Sequence, residues 1–406
     1  MAIDTIQKAG VYGEYVLSVI LQGYQIPTEF INSCVVIESI NNLQPRLSME
    51  IVNPNNFLQT MRFSGHGEVE IEFGKSEEYT KRLVFYISDI PGNIVRGQGA
   101  SSVQINGFLK ESMPFIKNVA FYGWNGTFSS ILQEILPNIK ITNTNIDATD
   151  DSRNWICAGW TLSNFVNYAR LRVRSAAGKK SAGYLHFFDS DGYFNFRSLQ
   201  NIYADDVQQT FSSGIMDPPE SVEKQHYYII NYSSANNLYR SSINSAGISG
   251  VYFDEKDCLG VDGSATSLDA VAGVPSSVIS VPTTTLKKLN IAIAEEDPAG
   301  ALRYMGSART ADDEEMFQNI IDSHIINEMY NALRLSVIVD GDVRLCAGDT
   351  VIVDFNVSEE TETDTWLSGK WVVSDITHNI KPQYTRSLTL IRPGFDSKEL
   401  DHLVAV

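Results

Sequence analysis

Two groups of three short apolar segments, far apart in the chain, run in the same order. In the first, VEIEF (Val69 to Phe73) is followed by YISDI (Tyr86 to Ile90) and VQI (Val103 to Ile105). In the second, VIVDF (Val351 to Phe355) is followed by VVSDI (Val372 to Ile376) and LTL (Leu388 to Leu390). Such alternation is the period-2 pattern of a strand with one buried face. A shared Ser-Asp-Ile alone would mean little, but three strands in one order with similar gaps argue for a fold built twice within the chain. Alternation also sorts the side chains. Val69, Ile71 and Phe73 are expected to fill a barrel core, as are Val351, Val353 and Phe355. Glu68, Glu70 and Glu72 point the other way, and their counterparts are Thr350, Ile352 and Asp354.

Around these groups the chain divides into four parts. Residues 1–110 carry five or six short strands from Tyr15 to Ile105, punctuated by Pro27, Pro45, Pro54, Gly65 and Gly67, the signature of a small barrel. Residues 111–205 form an α+β middle part. There Thr127 caps a helix carrying Phe128, Ile131, Leu132, Ile135 and Leu136 and ended by Pro137. A second helix is expected within NWICAGWTLSNFVNYARLRVRSA, burying Trp155, Trp160, Leu162, Phe165, Val166 and Ala169. Asp191-Gly192 between two aromatic segments reads as a hairpin turn. Residues 206–309 hold more strands and end in a Gly, Ser and Thr rich stretch near 260–285, expected to be an exposed loop or arm. Residues 310–406 open with a helix whose Thr310 and Asp313 resemble a capping box. Phe317, Ile320, Ile321, Ile325, Met329 and Leu333 follow at helical spacing, and then the second barrel. The expected fold class is α+β and strand-dominated, with two similar antiparallel β-barrels flanking α+β middle domains.

Charge and motifs narrow the function. A chain of 406 residues with 31 Lys plus Arg against 49 Asp plus Glu, net −18, repels duplex DNA on average, so specific nucleic-acid binding is not expected. Cys34, Cys157, Cys258 and Cys346 show no CxxC pairing and read as buried thiols. No apolar run reaches the ~18 residues of a membrane span, and the amino terminus lacks a signal-peptide pattern. The histidines His66, His186, His226, His324, His378 and His402 have no HExxH or HxH spacing. Asp189-Ser190-Asp191-Gly192 begins like a calcium loop but lacks the distal Glu. Neither GxSxG, a P-loop nor GxGxxG is present, so no catalytic residue, cofactor or metal is expected.

The succession of GEVEIEFG, RLVFYISDI, GTFSSILQEIL, SNFVNYARLR, GYLHFFDSDGYFNFRSL, IINYSSANN, SGVYFDEKD, LRLSVIVDGDVRLCAGDTVIVDF and SGKWVVSDITHNIKPQYTRSLTLIRP resembles the baseplate hub proteins of contractile bacteriophage tails. That family includes the T-even central hub, the P2 late control protein and the trunk of type VI secretion spikes, and the resemblance spans most of the chain. It implies two tail-tube-like barrels per subunit and a homotrimer whose pseudo-sixfold ring joins the tail tube protein to the threefold central spike protein. It implies a place in the virion's tail baseplate after assembly in the host cytoplasm, with tape measure and baseplate wedge proteins as further partners. The ring would enclose the DNA channel, with Glu68, Glu70, Glu72 and Asp354 facing it. No separate carboxy-terminal OB-fold or lysozyme-like module is legible, so a needle would be another chain. The rival readings are a polysaccharide hydrolase with an unrecognised carboxylate pair and a β-rich surface-binding adhesin.

Overall fold

In a computed structural model of the chain, all but one of the repeated segments sit wholly in regular strands, and YISDI does so through Asp89. The structure describes residues 15–53, 67–89, 95–96, 101–177, 182–213, 226–236, 248–254, 259–265 and 278–279. Towards the carboxy terminus it describes 319–320, 322–323, 326–327, 330–331, 333–355, 367–393 and 395–396.

The first barrel unit is built from β1 (Val16–Leu21), β2 (Tyr24–Ile26), β3 (Ile31–Ser39), β4 (Arg46–Asn53), β5 (Glu68–Ser76), β6 (Tyr79–Asp89), β7 (Val95–Arg96) and β8 (Ser101–Leu109). A middle unit follows with α1 (Met113–Lys117), β9 (Val119–Gly126), α2 (Phe128–Asn138), β10 (Thr144–Ile146) and β11 (Arg153–Thr161). It continues through α3 (Leu162–Arg170), β12 (Tyr184–Phe188), β13 (Phe194–Ser198) and α4 (Leu199–Ala204). The second barrel unit uses β14 (Val207–Ser213), β15 (His226–Asn236), β19 (Leu333–Asp340), β20 (Thr350–Phe355), β21 (Gly369–Lys381) and β22 (Thr385–Arg392). Between them in sequence lie the hairpin of β16 (Ile248–Asp254) and β17 (Leu259–Ala265), and β18 (Val278–Ile279), which pairs with β23 (Phe395–Asp396).

The two units share one topology. The six main strands of the first lie side by side as β1-β5-β6-β8-β4-β3, and those of the second as β14-β20-β21-β22-β19-β15. Ranked by position in the chain, both orders read first, fourth, fifth, sixth, third, second. The register agrees as well: Glu68 faces Tyr86 and Val69 faces Phe85, while Thr350 faces Val372 and Val351 faces Trp371. Two β-bulges coincide. Between β6 and β8 the ladder shifts from Ile87 to Asp89, and between β21 and β22 it shifts from Val373 to Asp375. The bulged residues are Ser88 and Ser374, the serines of the two Ser-Asp-Ile segments. A second pair falls between Ile31 and Ser33 against β4, and between Ile229 and Asn231 against β19. A bulge adds one unpaired residue and re-aims every side chain beyond it, so two bulges at matching register indicate duplication more strongly than strand count does.

Differences from the sequence reading have local causes. The second barrel is not wholly antiparallel, because β14 runs parallel to both β20 and β15. Those pairings close it as a ring of six strands, whereas in the first unit no β1–β3 pairing closes the sheet among the described residues. The second barrel also draws β14 and β15 from the part expected to be separate at 206–309, because the edges left by β20 and β19 need partners. NWICAGWT, expected to open a helix, is β11, paired with β9 as a two-stranded ribbon, and the helix begins only at Leu162. Its Trp155 is buried, but Trp160 is 40% exposed. Leu333 begins β19 rather than extending a helix, and the capping pair Thr310 and Asp313 lies outside the described residues. Residues 260–265 of the expected loop belong to β17. The α2 helix runs through Pro137 to Asn138, and its Thr127 cap accepts a hydrogen bond from the Ser130 amide at 3.3 Å.

Strand β21 joins three cores. Val373 and Ile376 pack inside the second barrel and Ile380 inside the first, while Val372 packs with Leu199, Ile202 and Tyr330 between them. Its amino-terminal residues pair with β20, and Asp375 to Lys381 pair with β3. Deleting Ser374 would turn Ile376, His378 and Ile380 to the wrong faces, so the deletion should abolish the cooperative unfolding transition. Ser374→Ala keeps the register and should cost only about 1 kcal/mol in denaturant unfolding. A deletion variant melting near the parent midpoint would show that the bulge does not set the register.

Candidate assembly surfaces and the buried junction

On β5 the alternation is complete. Val69, Ile71 and Phe73 are fully buried in the first core, and Glu68, Glu70 and Glu72 on the opposite face are half-buried. In the second barrel Val351, Val353 and Phe355 are buried, and Asp354 is half-buried opposite Ser212. The glutamates are not a bare acidic row. Glu68 pairs with Lys110 and Glu70 with Arg82, each at 2.7 Å, and Glu72 accepts a hydrogen bond from Thr80 at 3.2 Å. Two of the three charges are thus offset by neighbouring cations of the same unit.

A second surface is apolar. The outer face of the β9–β11 ribbon exposes Phe121 (81%), Ile156 (70%) and Val119 (52%), while Trp155 and Cys157 on the inner face pack on the core. There Trp155 meets Phe128 at 5.0 Å between ring centroids, and Trp124 stacks on Phe165 at 5.4 Å. Gly159, at φ +83, lies under the Phe121 ring, where a Cβ would come within 2.7 Å of ring carbons. Only glycine fits that close approach in a left-handed conformation.

The third feature is a buried polar cluster where all three units meet. Glu38 on β3 and His378 on β21, 340 positions apart, touch at 3.2 Å with both side chains inaccessible to solvent. The other nitrogen of His378 lies 3.0 Å from the Tyr384 hydroxyl, whose oxygen is also 2.9 Å from the Asp342 carbonyl. The second oxygen of Glu38 accepts from the Ser190 amide at 3.1 Å, in the turn between β12 and β13. Lys81 of β6 reaches the same turn through Asp191 at 2.8 Å and the Ser190 hydroxyl at 2.6 Å, and it lies 3.4 Å from Cys346 Sγ. Asp349 accepts from the Cys346 amide at 2.7 Å.

Burial governs the ionisation here. It pushes Glu38 up, yet hydrogen bonds from His378 and Ser190 and the charge of Lys81 hold its carboxyl below the usual range. Burial keeps His378 neutral against the pull of Glu38. Asp349 is pushed up to about 7 by burial, reinforced by the charges of Glu38 and Asp189, and Asp189 to about 6 mainly by burial. The Cys346 thiol is also raised by burial, so it is not an activated thiolate. The arrangement can clamp three units together, and it offers no nucleophile. Cys34, Cys157 and Cys346 are all buried free thiols, and Cys258 lies outside the described residues. Among the described residues no group of His, Cys, Asp and Glu could hold a metal ion, and no helix is long and apolar enough to cross a membrane.

No family model and no curated protein matches the sequence. Solved structures do match. A 43 kDa tail protein of prophage MuSo2 from Shewanella oneidensis is similar at TM-score 0.58 and 10% identity, over 94% of this chain and 100% of the other. A tail protein from Neisseria meningitidis MC58 is similar at TM-score 0.57 and 10% identity, over 94% of this chain and 97% of the other. The fold is thus one shared with a prophage tail protein and a second tail protein, in agreement with the resemblance carried by the sequence.

Burial raises two carboxyls at the junction, Asp349 and Asp189, and this predicts a pH response. For Asp349 and Asp189 the folded value lies above the ordinary one, so their contribution is fully present below about 4 and is lost as pH rises through about 6 to 7. Asp349→Asn keeps the acceptor for the Cys346 amide but cannot ionise. Its unfolding free energy should fall less than the parent's between about pH 5 and pH 8, ending higher by about 2 kcal/mol. Parallel pH profiles in denaturant titrations would refute this.

Proposed function

We propose that this chain is a structural baseplate hub of a contractile tail, a trimeric adaptor between a sixfold tail tube and a threefold central spike that forms part of the DNA channel. The observation that carries the reading is the duplication, matched in strand order, register and bulge position. Two equivalent barrels in each of three subunits supply six equivalent positions, which is how a threefold assembly can meet a sixfold one. The likeness to a prophage tail protein and to a second tail protein over nearly the whole chain supports it. In this reading the chain is a virion component assembled in the host cytoplasm, with tube, spike, tape measure and wedge proteins as neighbours, and it turns over no substrate.

Glu68, Glu70, Glu72 and Asp354 are proposed to face the channel. Because Lys110 and Arg82 offset two of the glutamates, the lumen would be weakly anionic, enough to discourage DNA from adhering and well short of a dense acidic ring.

The decisive measurement is the mass of the chain mixed with its spike protein, by native mass spectrometry or light scattering. Three copies per complex are expected, and a strictly monomeric mass in that mixture would overturn the reading. Converting Glu68, Glu70 and Glu72 together to Gln should leave the melting midpoint nearly unchanged, since ion pairs open to solvent on a sheet's outer face contribute roughly 0–1 kcal/mol each. In assembled particles the same change should slow DNA release; release at the parental rate would remove the channel assignment. Turnover of peptidoglycan or polysaccharide by the purified chain would favour the hydrolase instead.

A further inference from the structure

The outer face of the β9–β11 ribbon carries the two most exposed large apolar side chains among the described residues, Phe121 and Ile156. The ladder sets what lies beside them. Ala158 is opposite Phe121 and Gly123 is opposite Ile156, so each large side chain has a small partner on the other strand. Cross-strand partners share a face, as do residues two apart on one strand. Phe121 and Ile156 therefore occupy one diagonal of the face, and Ala158 and Gly123, both exposed, occupy the other. The Phe121 ring is braced over Gly159, whose left-handed backbone leaves room for it, so this knob is fixed in place. The flanking pairs are Asn125 with Asn154, whose side chains bond at 2.7 Å, and Val119 with Thr161. None of these residues is ionisable, although the chain as a whole carries net −18.

Charge and shape select the same partner. A basic protein would be drawn to this acidic chain through its carboxylates, and this face has none to offer. A second copy brings the same negative charge, so it can approach closely only where that charge is missing. Shape adds a stricter condition. A half-turn about an axis parallel to the strands lays the copy's β9 over β11, with the copy's Phe121 on Ala158 and its Ile156 on Gly123. The same rotation seats Phe121 and Ile156 in the hollows of the copy and brings the Asn125–Asn154 pairs together. Large residues thus meet small ones in both directions, as an isologous contact requires, at the ~10 Å spacing of packed sheets. We propose that the outer face of the ribbon packs against the same face of a second copy of this chain. Confined to a two-stranded ribbon, the contact is below the roughly 800 Å² per partner of a standard interface, so association depends on concentration. It does not rest on the hub reading, because contacts around a threefold ring are heterologous and leave a two-fold face free.

Sedimentation velocity and native mass spectrometry of the full chain without spike protein, over a concentration series, should show association in even numbers: two copies, or six where a threefold ring also forms. Phe121→Asp should weaken that association by about tenfold or more, the effect of losing one aromatic anchor. Gly123→Leu is the discriminating variant. A Cβ at Gly123 meets its nearest neighbour at 3.8 Å, an ordinary contact, so the fold is kept while the added side chain fills the hollow for Ile156 and enlarges the apolar area. This variant should also associate more weakly than the parent. Stronger association would reveal a surface that is merely apolar and would overturn the proposal. Hydroxyl-radical footprinting of the unaltered chain reads the contact without any variant, since oxidation of Phe121 should fall as concentration rises. A mass that stays at one or three copies throughout, or association that leaves Phe121 no better protected, would equally overturn it.

Discussion

The whole arrangement depends on the backbone ladder of one strand. β21 has 13 residues, long enough to pair Gly369 to Val372 with β20, Asp375 to Lys381 with β3, and Val372 to Asn379 on its other edge with β22. A ladder fixes direction and register together, so the angle and offset between the two barrels follow from hydrogen bonds rather than from a flexible linker. The bulge at Ser374 lets the strand change partners while Ile376 and Ile380 both still point into cores.

Side chains reinforce the ladder where it crosses between units. Glu38 and His378 face each other across the β3–β21 pairing region, and Lys81 ties the same spot to the turn at Asp191. Breaking one partner of such a buried set leaves an unpaired polar group in a low-dielectric interior, so the cluster favours one geometry even where its net contribution to stability is small. The raised carboxyls of Asp189 and Asp349 mark chiefly the cost of burying acids at this junction. Inside the second barrel a separate polar layer joins Arg386 to Gln209 and Arg344 to Asp342.

Duplication and divergence are both visible in the barrels. The fourth, fifth and sixth strands keep order, direction, register and bulge, while the first strand has reversed: β1 runs antiparallel to β5, and β14 runs parallel to β20. The acidic alternation of β5 is only partly repeated in β20, where Thr350 and Ile352 replace two of the carboxylates. Equivalent backbones thus present unequal outer faces.

The sequence by itself determined the elements whose signal is local. Alternation at Val69 to Phe73 and Val351 to Phe355 dictated which side chains are buried, Thr127 marked a helix start, and Asp191-Gly192 marked a hairpin, because strand pleat, cap and turn each depend on neighbours a few residues away. The repeated Ser-Asp-Ile pointed to duplication, but that its serines are bulges required the pairing partner. Tertiary structure decided everything that joins distant segments. NWICAGWT became a strand because VAFYGWNG lay beside it, and the second barrel reached back for β14 and β15 because its edges needed partners. The contacts of Glu38 with His378, and of Arg386 with Gln209, leave no pattern in sequence, since hydrogen-bond partners across a barrel are set by register and not by spacing along the chain.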